Sequence, residues 1–142
     1  MSHAIKKTSV FAFYNHPEGV KQSVRKLKKY GFDINKLSIA GKGYHPSSSL
    51  FIISGLGPIS VSGPLVAAII GAFGQGASIR SLGALHEGLY SIGIPKEKIF
   101  EYESALQNGF CLVCARGPVD TIAAVKHVLA LSKAIEITMY DQ

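Results

Sequence analysis

Residues 43–79 read GYHPSSSLFIISGLGPISVSGPLVAAIIGAFGQGASI and contain no Asp, Glu, Lys or Arg. The stretch is apolar enough to leave water, yet Gly and Pro interrupt it too often for an ordinary core helix. Another surface therefore has to cover it: the rest of the fold, a second copy of the chain, or lipid. Which of these three does so decides both the architecture and the function.

The whole chain, residues 1–142, has the composition of a single folded domain. It is 47% hydrophobic and 17% charged, and it is long enough to bury a core. Its formal charge of +6 is concentrated before residue 45, where the Lys and Arg side chains are opposed only by Glu18 and Asp33. No aromatic residues alternate with these basic residues and no nucleic-acid motif is present, so we favour a solvated basic helix face over a nucleic-acid site.

The cysteines and histidines predict neither a redox site nor a metal site. Cys111 and Cys114 form a C-x-x-C pattern inside an apolar strand, where positions three apart face opposite sides, so we predict buried structural thiols. The five histidines lack metal spacing, and Tyr90 stands where a second zinc-binding His would follow His86. We expect no cofactor and no metal. With no secretory signal and no disulfide framework, the sequence predicts a cytoplasmic protein.

Two similar halves flank the charge-free stretch. The first half predicts a strand at Lys7–Tyr14, a helix from Pro17 to Gly31 and a strand at Leu37–Ala40, and the second half repeats this plan with a strand over 110–116, a helix from Pro118 and a strand at Ala134–Tyr140. Two strand-helix-strand halves predict an α+β fold of the ferredoxin-like, split βαβ type. The first strand of each half would then lie in the centre of the sheet, with the helices on one face.

An apolar, Gly-rich helical insertion is predicted between the halves, over residues 46–108. Small residues recur four apart on two lines, which allows helix backbones to approach closely; the lines are Gly63, Ala67 and Gly71, and Ala68, Ala72 and Gly76. We predict that these lines mediate contact with a second copy, while packing on the chain's own sheet and contact with a membrane stay open as alternatives. The run from Pro64 to Arg80 is too short for a simple membrane-spanning helix.

A small anion site is a further prediction that depends on the sheet. If the first strands of the two halves were adjacent and parallel, Asn15 and His16 would lie beside Arg116 and Gly117, at two helix N-termini that attract anions. Two ordinary capped helix starts are the alternative. No nucleophile with a base and an orienting group accompanies these residues, so we expect no enzyme.

Several motifs between Ile53 and Gly117 resemble a known protein family. Gly55-Leu56-Gly57-Pro58, Gly63-Pro64-Leu65, the turn from Leu89 to Pro95 and the Tyr102-Glu103 pair resemble a bacterial family of heat-induced or general stress proteins, often labelled hypothetical or membrane proteins. The resemblance covers about half the chain and brings no catalytic residue or cofactor. This chain has no Trp and lacks the additional apolar arm that completes a hydrophobic hairpin in many of those proteins.

Together these patterns predict a non-enzymatic, stress-associated interaction or structural protein that self-assembles through its insertion. The alternatives are a peripheral membrane protein, whose insertion enters lipid while the basic first helix lies on an anionic surface, and a small-anion sensor that uses the two loops described above.

Overall fold

The computed structural model describes residues 7–42, 49–73 and 82–141. The strands in these ranges are β1 (Lys7–Tyr14), β2 (Leu37–Gly41), β3 (Ser49–Ile53), β4 (Gly57–Ser62), β5 (Cys111–Pro118) and β6 (Glu136–Asp141). The helices are α1 (Pro17–Lys29), α2 (Pro64–Phe73), α3 (Leu82–Ser91), α4 (Ile99–Gln107) and α5 (Val119–Leu131), with short 3-10 turns at Ile34–Lys36 and Lys96–Lys98.

All six strands join one antiparallel sheet in the order β3-β4-β2-β5-β1-β6. The α+β class predicted from the sequence is confirmed, and β1 and β5, the first strands of the two halves, are neighbours as expected. They run antiparallel, however, with Lys7 opposite Pro118 and Tyr14 opposite Cys111. The sheet also has two strands, β3 and β4, that the sequence reasoning did not predict.

Helices cover both faces of the sheet rather than one. On the first face, Val20 of α1 and Ile122 of α5 pack against inward residues such as Val10 and Val113. On the second face, α2, α3 and α4 pack over a separate cluster that includes Phe11, Phe51 and Ile59 and the helical residues Leu65, Leu85 and Leu106. The strands alternate between the two clusters because successive side chains point to opposite faces.

The first described part of the insertion is a β-hairpin, so the prediction of a Gly-rich helical insertion over 46–108 is wrong for residues 49–62. Phe51 and Ile53 point into the core while Leu50 and Ile52 point outward, the period of a strand. Gly55 and Gly57 turn the chain with φ of 85° and 81°, which other residues adopt only with strain. The helix predicted to begin near Pro64 does begin there.

Within the described part of the charge-free stretch, residues 49–73, the buried apolar side chains are covered by the chain's own fold. Leu65 and Ile69 of α2 are fully buried against the sheet and α3, and Phe51 and Ile59 of the hairpin belong to the same cluster. The apolar character that suggests lipid or a second copy in the sequence thus serves mainly to cover the second face of the sheet.

Candidate functional site

The six small residues predicted to mediate self-association do not form one surface. Ala72 is only 6% exposed and lies in the core, Ala68 is half-buried, and Ala67 and Gly71 are exposed on the outer side of α2. Gly76 lies outside the described residues. Ala72 is thus occupied by packing within the chain and offers nothing to a second copy, which corrects its predicted role.

Gly63 has a structural role in the turn between β4 and α2. Its φ is 80°, and a Cβ at this position would collide with the backbone carbonyl of Leu37 on β2. The next residues continue this contact, because the Leu65 amide donates a hydrogen bond to Ser38 Oγ at 3.0 Å. The glycine therefore lets the chain cross β2 closely before α2 begins.

The close helix contact that the sequence predicted does exist, but within the chain and at another residue. A Cβ on Gly88 of α3 would lie 2.8 Å from Ile69 Cγ1 and 3.3 Å from Leu65 Cδ1, both on α2. The small residue that allows the approach is on α3. The sequence prediction missed Gly88 because it considered only the small residues between Gly63 and Gly76, although Ala84 and Gly88 on α3 are also four apart.

The predicted anion site is wrong. Antiparallel pairing of β1 and β5 places Thr8 opposite Gly117 and Tyr14 opposite Cys111, so Asn15 and His16 follow one end of the strand pair while Arg116 and Gly117 lie at the other. Arg116 instead donates from Nη1 to the backbone carbonyl of Ser91 at 3.3 Å, at the end of α3. The prediction required parallel strands, which this topology does not contain.

The two cysteines are buried, as predicted. Cys111 belongs to the cluster under α1 and α5, and Cys114 to the cluster under α2, α3 and α4, so the two thiols lie on opposite faces of β5. Burial raises the pKa of both thiols, which disfavours the reactive thiolate. Neither cysteine has the environment of a redox centre.

One polar pair lies inside the helical layer. Nδ1 of His86 on α3 is 3.8 Å from Oε2 of Glu103 on α4, and that oxygen is buried and makes no hydrogen bond. Burial raises the pKa of Glu103, and His86 opposes the shift. Within the described ranges no three His, Cys, Asp or Glu side chains form a group that could hold a metal ion. The buried oxygen of Glu103 without a hydrogen bond lowers the stability of the contact between α3 and α4.

The edge strand β3 exposes two large apolar side chains on one face of the sheet. Leu50 is 65% exposed and Ile52 is 58% exposed, both on the sheet face that α1 and α5 share, beyond the area that those helices cover. Among the strands that the structure describes, β3 pairs with β4 alone, with Leu50 opposite Ser60 and Ile52 opposite Pro58. Its other edge therefore presents backbone N–H and C=O groups beside two large apolar side chains.

The opposite edge of the sheet has a different composition. β6 begins with Glu136 and ends with Asp141, both exposed, and Thr8 donates a hydrogen bond to Asp141. Natural proteins protect exposed sheet edges with charges or proline, because an unprotected edge pairs with other chains. β3 contains neither a charge nor a proline.

The sequence does hold a signal for this edge, although the reasoning from composition did not use it. The run Leu50 to Ile53 is four large apolar residues followed by a Gly-containing turn and a second β-branched run, the pattern of a hairpin. Uniform hydrophobicity concealed its period of two, because the outward residues are as apolar as the inward ones. That absence of alternation is itself what marks the edge as unusual.

Comparison of the chain with protein-family models, with curated proteins and with solved structures finds no match. In the described parts of the chain, no helix has the length and apolar character needed to cross a membrane.

Proposed function

We propose that this protein is a non-enzymatic interaction protein that self-assembles through its insertion, by edge-to-edge pairing of β3 between two copies. The proposal keeps the predicted role of the insertion and moves the contact from the small residues of α2 to Leu50 and Ile52. The link to stress rests on the resemblance of its motifs to general stress proteins.

The observation that carries the proposal is the difference between the two edges of the sheet. β6 has exposed carboxylates at both ends, whereas β3 exposes two large apolar side chains and no charge. Full burial of one such side chain contributes about 1.5–3 kcal/mol, and Leu50 and Ile52 still have more than half of their surface in water. A partner strand at this edge would bury part of that remaining surface and would form the backbone hydrogen bonds of the strand.

A two-fold axis fits this strand. Ser49–Ile53 is five residues long with Phe51 at its centre. An antiparallel pair of β3 strands with the axis at Phe51 would set Leu50 of one copy opposite Ile52 of the other, on the same face. Most homo-oligomers are closed two-fold dimers of this self-complementary kind, and the resulting sheet would be continuous across both copies.

We also propose that the central strands β2, β5, β1 and β6 with helices α1 and α5 form a ferredoxin-like unit. Its support is the position of β1 and β5 as neighbours in the centre, with both crossover helices packed on one face. The hairpin β3–β4 and helices α2 to α4 would then be additions that extend this unit by two strands and cover its open face.

The experiment is the mass of the protein in solution with two matched variants. Ile52→Lys places a charge on the edge strand, and Ile70→Lys places the same charge on α2, which covers the other face of the sheet and where the side chain is 52% exposed. We expect light scattering to give a dimer for the wild type and for Ile70→Lys, and a monomer for Ile52→Lys. A monomeric wild type at high concentration, or equal behaviour of the two variants, contradicts the proposal.

A second candidate function is attachment to an anionic membrane surface. Leu50 and Ile52 point to the same side of the sheet as α1, whose exposed Lys21, Arg25 and Lys28 are basic. Amphipathic surfaces with this combination bind anionic lipid. Flotation with vesicles containing anionic lipid tests it: Ile52→Lys should reduce binding, and failure to float with either anionic or neutral vesicles rejects this alternative.

A further inference from the structure

A cavity at the β6 edge of the sheet is independent of the proposed assembly surface. It lies on the second face of the sheet, between α4 and strands β1 and β6, and its volume is about 300 Å³. Pockets that bind small molecules in proteins are about 300–1,000 Å³ and mostly apolar with a few polar groups. β3 is at the other edge of the sheet, so nothing proposed above uses this cavity.

The walls of the cavity are aromatic. Phe13, Tyr102, Phe110 and Tyr140 line it, and the Phe13 and Tyr102 ring centroids are 5.0 Å apart with the planes tilted by 48°. The buried Phe11 ring packs against two of these rings, with its centroid 5.5 Å from that of Tyr102 and 5.7 Å from that of Tyr140. Ring packing therefore holds Phe13, Tyr102 and Tyr140 in place before any ligand binds.

The polar groups at the cavity are mostly negative or hydrogen-bonding. Glu101 and Glu136 line it, and its one cationic lining residue, Lys98, has its Nζ 3.6 Å from Glu101 Oε1. Lys98 and Glu101 balance each other in charge, so Glu136 gives the cavity lining a net negative charge. The hydroxyl groups of Tyr102 and Tyr140 are 3.2 Å apart and hydrogen-bonded to each other.

The negative charge of Glu136 also affects the pKa of Tyr102. Burial raises the pKa of the Tyr102 phenol, the hydrogen bond with Tyr140 raises it further, and the negative charge of Glu136 adds to the shift. A negative charge at this position disfavours a phenolate. By the same physics it favours a cation placed among the rings.

We infer that this cavity binds a small organic ammonium ion. Aromatic faces attract cations through their quadrupole, and a cage of several rings beside a carboxylate is the usual way in which proteins hold alkylated ammonium groups. The rings Phe13, Tyr102, Phe110 and Tyr140 supply the faces, and Glu136 supplies the countercharge. A neutral apolar ligand could pack against the rings and an anion could fit the volume, but neither would be attracted by the carboxylate of Glu136.

The test compares a cation with a neutral molecule of the same shape. The probes are choline, tetramethylammonium and phenethylammonium, with 3,3-dimethylbutanol as the uncharged counterpart of choline, titrated into the full chain and followed by heteronuclear NMR. We expect at least one of the ammonium probes to bind, with shifts confined to the cavity, and choline to bind several-fold more tightly than the alcohol. Equal binding of choline and the alcohol, or no binding of any probe at millimolar concentration, overturns the inference.

Variants separate the cation–π contribution from simple apolar contact. Phe110→Leu keeps an apolar side chain but removes one ring face, and we expect it to weaken binding about threefold, the effect of one partly exposed cation–π contact. Glu136→Gln should weaken binding by about the same factor and reduce its dependence on salt. Glu87→Gln, an exposed carboxylate on α3 that does not line the cavity, is the control with the same change of charge.

These outcomes stay interpretable if a variant is less stable. The comparison of choline with its neutral counterpart uses the wild-type protein only, and circular dichroism confirms that each variant is folded at the titration temperature. If Phe110→Leu and Glu136→Gln bind choline as tightly as Glu87→Gln does, the cavity is not the binding site and the inference fails.

Discussion

The contact between α2 and α3 gives a sharp prediction, because two glycines in these helices differ in their surroundings. At Gly88 a Cβ would lie 2.8 Å from Ile69 Cγ1 and 3.3 Å from the Ile69 backbone nitrogen, so the helices would have to separate. At Gly71 on α2, nothing lies within 4 Å of the added Cβ. The same substitution by Ala therefore tests a packed site and an open one.

The two substitutions are expected to change the free energy of unfolding in opposite directions. Replacing Gly by Ala within a helix stabilises it by about 1 kcal/mol, so Gly71→Ala should raise the free energy of unfolding by up to that amount. At Gly88 the same gain is offset by overpacking, which costs about 1–3 kcal/mol in a well-packed core. We expect Gly88→Ala to lower the free energy of unfolding by about 1 kcal/mol, a difference between the variants of about 2 kcal/mol.

Urea denaturation at one protein concentration measures both values, since assembly would otherwise make stability depend on concentration. Thermal melting should show the two variants separated by roughly 6–8 °C for a chain of this size. If Gly88→Ala is as stabilising as Gly71→Ala, α2 and α3 do not pack as described and the account of what covers the charge-free stretch is wrong. Gly71→Ala should also leave assembly unchanged, because the contact is assigned to β3.

Three further predictions concern buried groups. Glu103→Gln should stabilise the protein by about 1 kcal/mol at neutral pH, because it removes a buried carboxylate oxygen without a hydrogen bond. Folding raises the pKa of Glu103, so the wild-type protein loses stability as pH rises above the pKa of the unfolded carboxyl. The stability advantage of Gln should therefore vanish in acid, and an advantage that is the same at all pH values would contradict the raised pKa. Gly63→Ala should abolish cooperative melting or cost more than about 3 kcal/mol, because its Cβ meets the Leu37 carbonyl, and a near-neutral effect refutes that turn. Cys111 and Cys114 should react with a thiol reagent only at the rate of unfolding, whereas rapid labelling of the native protein would show that they are accessible.

The sequence predicted the flanking halves well because their patterns are strong. The strand at Lys7–Tyr14 matches the structure residue for residue, and the first helix begins at Pro17 as expected. Both have clear signals: a β-branched and aromatic run, and an amphipathic period with Pro at the helix start. The packing of Cys111 and Cys114 on opposite faces followed from the period of a strand alone.

The insertion was harder to predict for a physical reason. In residues 49–73 both the buried and the exposed positions are apolar or small, so the contrast that reveals periodicity is missing. The hairpin was therefore interpreted as part of a broken helical segment, and Ala72 was assigned to a surface when it lies in the core. The anion site failed for a different reason: no local pattern shows whether two neighbouring strands are parallel or antiparallel.

The assignment of the charge-free stretch also explains its composition. One face of the hairpin and of α2 must be apolar to cover the second face of the sheet, and Gly63 must be small to allow the close approach to β2. Neither requirement needs a second copy or lipid. Neither requirement explains why Leu50 and Ile52 are both apolar and exposed. Pairing of β3 between two copies would explain these two side chains.

The most direct test of that proposal is a cysteine pairing experiment across the β3 edge. Two variants, Leu50→Cys and Ile52→Cys, are prepared separately, mixed and oxidised, while the native cysteines stay buried. Directly opposite residues in an antiparallel pair have Cα atoms about 4.5–5.5 Å apart, within disulfide range, whereas a same-residue pair would be offset to roughly 7 Å or more. The account predicts that the mixed disulfide between the two variants is the main dimeric product. No cross-linking, or equal amounts of mixed and same-variant dimers, would contradict pairing of β3 with the axis at Phe51.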